Sequence, residues 1–137
     1  MAVLVDTSVW SLALRRSAPV RQQALRQELD SLILEGQVVM MGAVRQELLS
    51  GIRENVQFVR LRNHLRAYPD LALTHLDHEE AAAFFNVCRT KGIQGSNTDF
   101  LLCAAAARRD LSIFTTDQDF VRYATVLPIR LHASQPG

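Results

Sequence analysis

Four carboxylates stand where a chain of alternating strands and helices would bring side chains to one edge. Asp6 directly follows an apolar run, residues 2–5, and Asp117 follows another, residues 111–114, across Thr115 and Thr116. Glu47 lies about one and a half turns into a helix-like segment, and Asp99 opens an alanine-rich one. Ionised carboxylates brought together repel one another and raise each other's proton affinity unless a cation is present. Mg2+ and Mn2+ are hard ions that take oxygen ligands, and Mg2+ keeps several waters while accepting a few carboxylates and phosphate oxygens. A metal held this way activates water and stabilises a phosphodiester transition state. The four acids therefore point to metal-dependent phosphodiester hydrolysis, with Mg2+ as cofactor and Mn2+ as an alternative.

Each acid also has a plainer role. Asp6 can cap the helix that follows it, and Glu47 can be a solvated helix residue. Asp99 stands three residues after Ser96, the spacing of a capping box. Thr116 and Asp119 show the same spacing, so Asp119 reads as a cap with a chance of supporting the site, and Asp117 as the metal ligand.

The elements that must position these residues follow from periodicity. Continuous apolar runs at 2–5 and 38–41 read as strands buried on both faces, with a weaker strand at 71–76, a fourth at 111–114 and an edge strand within 126–132, where Pro128 excludes a central place. Helical spacing covers residues 9–16, then 19–36, 43–51, and 56–68 with Pro69 as its break. Asp77 and Glu80 form a D-x-x-E capping pattern for a helix through Cys88; further helices follow at 99–109 and around 120–123. Alternating strands and helices imply α/β, a three-layer α/β/α sandwich with a mainly parallel central sheet, whose ligands bind beyond the carboxyl ends of the strands.

Composition fits one domain over residues 1–132 with a loose tail at 133–137. With 137 residues and 48% hydrophobic content, a core forms without disulfides or structural metal. Cys88 and Cys103 read as buried reduced thiols, which suits a reducing cytoplasm. The N-terminus lacks a basic leader, and the longest apolar run, residues 100–107, is too short to span a bilayer. A net charge of +1 announces no global attraction to nucleic acid, yet fourteen of the fifteen basic side chains are arginine. Arg45, Arg53, Arg60, Arg62 and Arg66 can track a phosphate backbone; they can equally form a solvated face with local pairs such as Arg53 with Glu54. His75 and His78 straddle the expected strand-to-helix junction, His64 and His132 are isolated, and none of them suggests zinc. Trp10 reads as core.

The segments "VLVDTSVW", "VRQELLSGI", "GSNTDFLLCAAA" and "IFTTDQDF" resemble, in order and spacing, those of PIN-domain nucleases, and most of all the VapC toxins of VapBC toxin–antitoxin pairs. The resemblance covers nearly the whole chain. It implies a PIN-like fold and a Mg2+- or Mn2+-dependent endoribonuclease with RNA as substrate. Asp6, Glu47, Asp99 and Asp117 would be the catalytic metal ligands. Thr7 and Ser8 match the hydroxyl residues after the first acid, and Thr116 would help to orient ligands or water. A cognate VapB-type antitoxin and a homodimer are implied as partners. Gly42 departs from the pattern, because many relatives carry a hydroxyl residue there. The alternative is a non-catalytic PIN-like module that only binds RNA or a partner protein.

Overall fold

In the computed structural model, residues 1–14 and 20–133 are described, without the side chains of Val20 and Arg21. The expected helical residues Arg15, Arg16 and Pro19, and the tail beyond Ala133, lie outside the described residues.

β1 (Val3–Val5) consists of three buried apolar residues, the pattern of a strand covered on both faces. It pairs in parallel with β2 (Val38–Val39) on one side and β3 (Ser112–Phe114) on the other. β4 (Arg130–Leu131) pairs in parallel with β3, so the sheet runs β2-β1-β3-β4. Leu4 sits opposite both Val39 and Ile113. The edge place of β4 agrees with Pro128, which lacks the N–H a central strand would need.

Helices α1 (Thr7–Ala13) and α2 (Val20–Leu34) connect β1 to β2. Four more, α3 (Gly42–Leu49), α4 (Asn55–Leu65), α5 (His75–Thr90) and α6 (Asn97–Arg109), carry the chain back past β1 to β3. A last helix, α7 (Asp119–Ala124), leads to β4. The strand order thus reverses between β1 and β3, and the crevice beyond their carboxyl ends is the usual ligand position of an open parallel sheet. The expected α/β fold with helices flanking a parallel sheet is what the chain adopts.

α6 explains much of the core. Leu102, Cys103, Ala104, Ala105 and Ala106 are buried, and the small alanines let the helix backbone lie close to its neighbours. It packs along α5 and against β3. Trp10 is buried as expected and stacks edge-on to Tyr68, with ring centroids 5.1 Å apart. Cys88 and Cys103 are both free and buried. Among the described residues no helix is long and apolar enough to cross a membrane.

Four expectations change. The weak strand at 71–76 does not form; at its start a parallel bridge joins Met40 and Asp70, and Leu71 N–H donates to Met40 O at 2.9 Å. Beyond Leu71, two of its backbone groups go to side chains: Ala72 O accepts from Arg109, and Thr74 N–H donates to Asp77 at 2.8 Å. The second change follows from this. Thr74 is the N-cap of α5 and Asp77 its third residue, so the capping box is Thr74 with Asp77 rather than Asp77 with Glu80. Third, α5 begins at His75, which puts His75 and His78 on the same helix rather than across a junction. His132 is not isolated either, since its Nε2 lies 2.8 Å from Glu28 Oε1.

Candidate active site

Asp6 is placed by the backbone. Its N–H donates to Phe114 O at 2.9 Å, carrying the β1–β3 ladder one step beyond Val5, and its carbonyl accepts from Val9 and Trp10 as α1 begins. It occupies the N-cap position, but its carboxylate makes no capping bond. Oδ2 accepts instead from Ser8 Oγ and Thr115 Oγ1, each at 2.8 Å. The capping role considered for Asp6 therefore belongs to its backbone alone, and the carboxylate, 7% exposed, is held by two hydroxyls.

The same two hydroxyls organise the loop after β3. Ser8 Oγ accepts from Thr116 N–H at 3.0 Å, and Thr115 Oγ1 accepts from Asp117 N–H at 3.0 Å. Asp117 Oδ1 then accepts from Asp119 N–H at 2.9 Å, the first N–H of α7. The T-x-x-D cap expected from Thr116 and Asp119 is thus replaced: Asp117 receives the helix N–H, Thr116 contributes its backbone, and Asp119 pairs with Arg122. Thr115, not Thr116, is the threonine whose hydroxyl reaches Asp6. Only the direction of the chain at the end of β3 decides between the two.

Asp99 enters from α6. Ser96 caps that helix, accepting from Asp99 N–H at 3.1 Å. The Asp99 carboxylate turns the other way and accepts from Tyr123 Oη at 2.8 Å, a partner contributed by α7. Burial raises the Asp99 carboxyl above its ordinary range, the Tyr123 hydrogen bond opposes this, and the charges of Asp6 and Asp117 raise it further. The charges of Asp6 and Asp117 are thus near enough to act on Asp99. Cys103, four residues further along α6, is buried, which pushes its thiol far above the usual range.

Glu47 stands on the exposed side of α3, where Thr7 Oγ1 donates to its Oε1 at 2.8 Å. This bond ties α3 to the start of α1, next to Asp6 in the chain. Gly42 opens α3, and a Cβ there would come within 3.3 Å of Asp70 Oδ2. Asp70 in turn receives Arg45 Nε at 3.0 Å and Nη2 at 2.9 Å, while Arg45 also donates to the carbonyls of Leu65 and Tyr68. Arg45 is therefore a brace that closes the end of α4, not a free cation for a phosphate backbone. Arg53, Arg60 and Arg66 are exposed, and among the described residues none of them forms an ion pair, including the pair considered between Arg53 and Glu54.

The donors at the crevice suit a hard cation, being carboxylate and hydroxyl oxygens throughout. Among the described residues no three His, Cys, Asp or Glu side chains stand close enough together to hold an ion jointly. Mg2+ does not need three: it is commonly bound through one or two carboxylates and its own waters. None of the four acids forms an ion pair among the described residues, so no side-chain cation already fills the place.

Comparison with known proteins agrees with this architecture. FitAcB from Neisseria gonorrhoeae superposes with a TM-score of 0.75 at 23% identity, covering 95% of this chain and 96% of that one. VapBC2 from Rickettsia felis, bound to a DNA fragment from its promoter, gives 0.77 at 16% identity, with 96% and 98% covered. VapBC-1 from nontypeable Haemophilus influenzae gives 0.74 at 14% identity, with 96% and 97% covered. No curated protein matches the sequence. At these identities the structural likeness establishes the fold. The PIN domain family itself matches residues 3–126, nearly the whole length, and the chain belongs to that family.

Proposed function

We propose that this chain is a divalent-metal-dependent endoribonuclease, the VapC-type toxin of a toxin–antitoxin pair. Asp6, Glu47, Asp99 and Asp117 would hold one or two Mg2+ or Mn2+ ions. The observation that carries this reading is the pair Asp6 and Asp117 after β1 and β3, joined through Thr115 Oγ1 and near enough to Asp99 for their charges to act on it, with no ion pair to any of the three among the described residues. When bound, the ion supplies an activated water and stabilises the charge that develops on a phosphodiester.

The chain's own side chains do the rest. Ser8 and Thr115 hold Asp6 on Oδ2, Thr7 holds Glu47, and the Asp119 N–H holds Asp117. Neutral donors fix each carboxylate's direction without cancelling its charge. Arg53, Arg60 and Arg66, exposed and unpaired among the described residues, supply phosphate contacts to RNA. Removing one such contact should lower the slope of log affinity against log salt by about 0.7 on single-stranded RNA.

The neighbouring structures include a toxin–antitoxin complex from Klebsiella pneumoniae, which supports a cognate VapB-type antitoxin as the physiological partner; a homodimer is part of the same reading. The free buried thiols suit the cytoplasm. The test is RNA cleavage by the purified chain with Mg2+ or Mn2+, with chelator, and by Asp6→Asn. Cleavage that needs the metal and falls more than about a hundredfold in the variant supports the proposal. RNA binding without cleavage in any metal would instead indicate a non-catalytic binding module.

A further inference from the structure

We infer that Tyr123 is a positioning residue for Asp99, fixing one carboxylate oxygen so that the other is offered to the cation, and that Gly95 is the gap that lets the phenol reach it. This rests on the metal-binding reading above. Tyr123 is fully buried, and a buried phenol needs a hydrogen-bond partner. The partner is Asp99 Oδ2 at 2.8 Å, from an element 24 residues earlier in the chain.

The ring cannot swing away easily. It packs against Phe100 with centroids 5.0 Å apart and against Phe120 at 5.1 Å. A Cβ at Gly95 would stand 2.3 Å from the Tyr123 hydroxyl oxygen, 2.8 Å from its ring carbon Cζ and 2.9 Å from Phe100. Any side chain at residue 95 would push the phenol off Asp99. Three of the four acids are thus steered by hydroxyls: Glu47 by Thr7, Asp6 by Ser8 and Thr115, Asp99 by Tyr123. Such outer partners hold a ligand in its coordinating orientation and set its affinity for the ion. The other tyrosine, Tyr68, packs on Trp10 instead.

The experiment is a calorimetric Mn2+ titration of the purified chain, its Tyr123→Phe variant and its Gly95→Ala variant, with melting curves in metal-free buffer. Phenylalanine keeps the ring packing, and Gly95→Ala displaces the phenol without removing it, so the two variants fail in different ways. The expected result is a Kd for Mn2+ raised about 10- to 100-fold in both. A tyrosine ultraviolet difference signal on Mn2+ addition should appear in the wild type and vanish in Tyr123→Phe. Wild-type binding with unchanged affinity in a folded Tyr123→Phe chain overturns the role of Tyr123 and leaves the metal site standing. A wild-type chain that takes up no Mn2+ overturns the metal site, and the positioning role with it.

Discussion

The two ends of α6 treat the same chemical group in opposite ways. Asp99 and Arg109 lie ten residues apart on this helix, about 15 Å at a rise of 1.5 Å per residue. At the carboxyl end, Asp77 of α5 is fully buried and receives Arg108 Nε at 3.0 Å, Arg109 Nη1 at 2.7 Å and Nη2 at 3.0 Å, and Thr74 N–H at 2.8 Å. The Arg109 hydrogen bonds hold this carboxyl far below its ordinary range. At the amino end, Asp99 meets hydroxyls and other acids, and burial raises its proton affinity. Acids at a helix start and arginines at its end both suit the helix dipole, so the contrast lies in charge compensation. Where a carboxylate only joins two helices, the chain supplies guanidinium groups. At the crevice it supplies neutral donors and leaves the negative charge for something else.

That contrast can be broken at its strong end first. Asp77→Asn should cost about 3 kcal/mol of unfolding free energy, the lower part of the range for breaking a buried pair, because both arginines keep partial access to water. Denaturant unfolding measures it, and a loss near zero would remove the distinction between the two ends. Asp70→Asn is the sharper control. Its ion pair with Arg45 has the same chemistry, but its side chain is 41% exposed, so the loss should stay within about 1 kcal/mol.

The pH dependence has opposite signs at the two ends. Asp77 has a lowered folded-state pKa, so its stabilisation is complete above the unfolded value of about 3.9 and disappears as the pH falls below it. Asp99 has a raised one, so its ionisation costs stability as the pH rises from about 3.9 through the folded value. Unfolding free energy followed across this acid range should lose its acid-side fall in Asp77→Asn. In Asp99→Asn the decline toward neutral pH should shrink.

How much of this was readable beforehand depends on the range of the interaction. Asp6 and Asp117 are placed by the strands they end, and a buried apolar run followed by an acid is visible in the sequence. Their hydroxyl partners are less visible, because Thr115 and Thr116 are equivalent until the loop direction selects Thr115. Tyr123 and Asp77 are further still from sequence logic. Their partners lie 24 and 31 or 32 residues away, on helices whose packing no local pattern specifies. The misread strand at 71–76 has the same cause, since its alternation is genuine but Arg109 and Asp77 take backbone groups that a neighbouring strand would need. Arg45 looked like a phosphate contact because a sequence shows its charge and not the carbonyls it braces.

The most direct test of the uncompensated crevice is the melting temperature of the wild type, Asp77→Asn and Asp99→Asn, each with and without Mn2+. Without metal, Asp77→Asn should melt lower than the wild type. Asp99→Asn should melt higher, its unfolding free energy raised by on the order of 1 kcal/mol, the usual cost of a functional site. Mn2+ at about a hundred times its Kd should stabilise the wild type by about 2.7 kcal/mol, stabilise Asp77→Asn similarly, and do little for Asp99→Asn. An Asp99→Asn chain no more stable than the wild type, together with a wild type indifferent to Mn2+, would contradict the account.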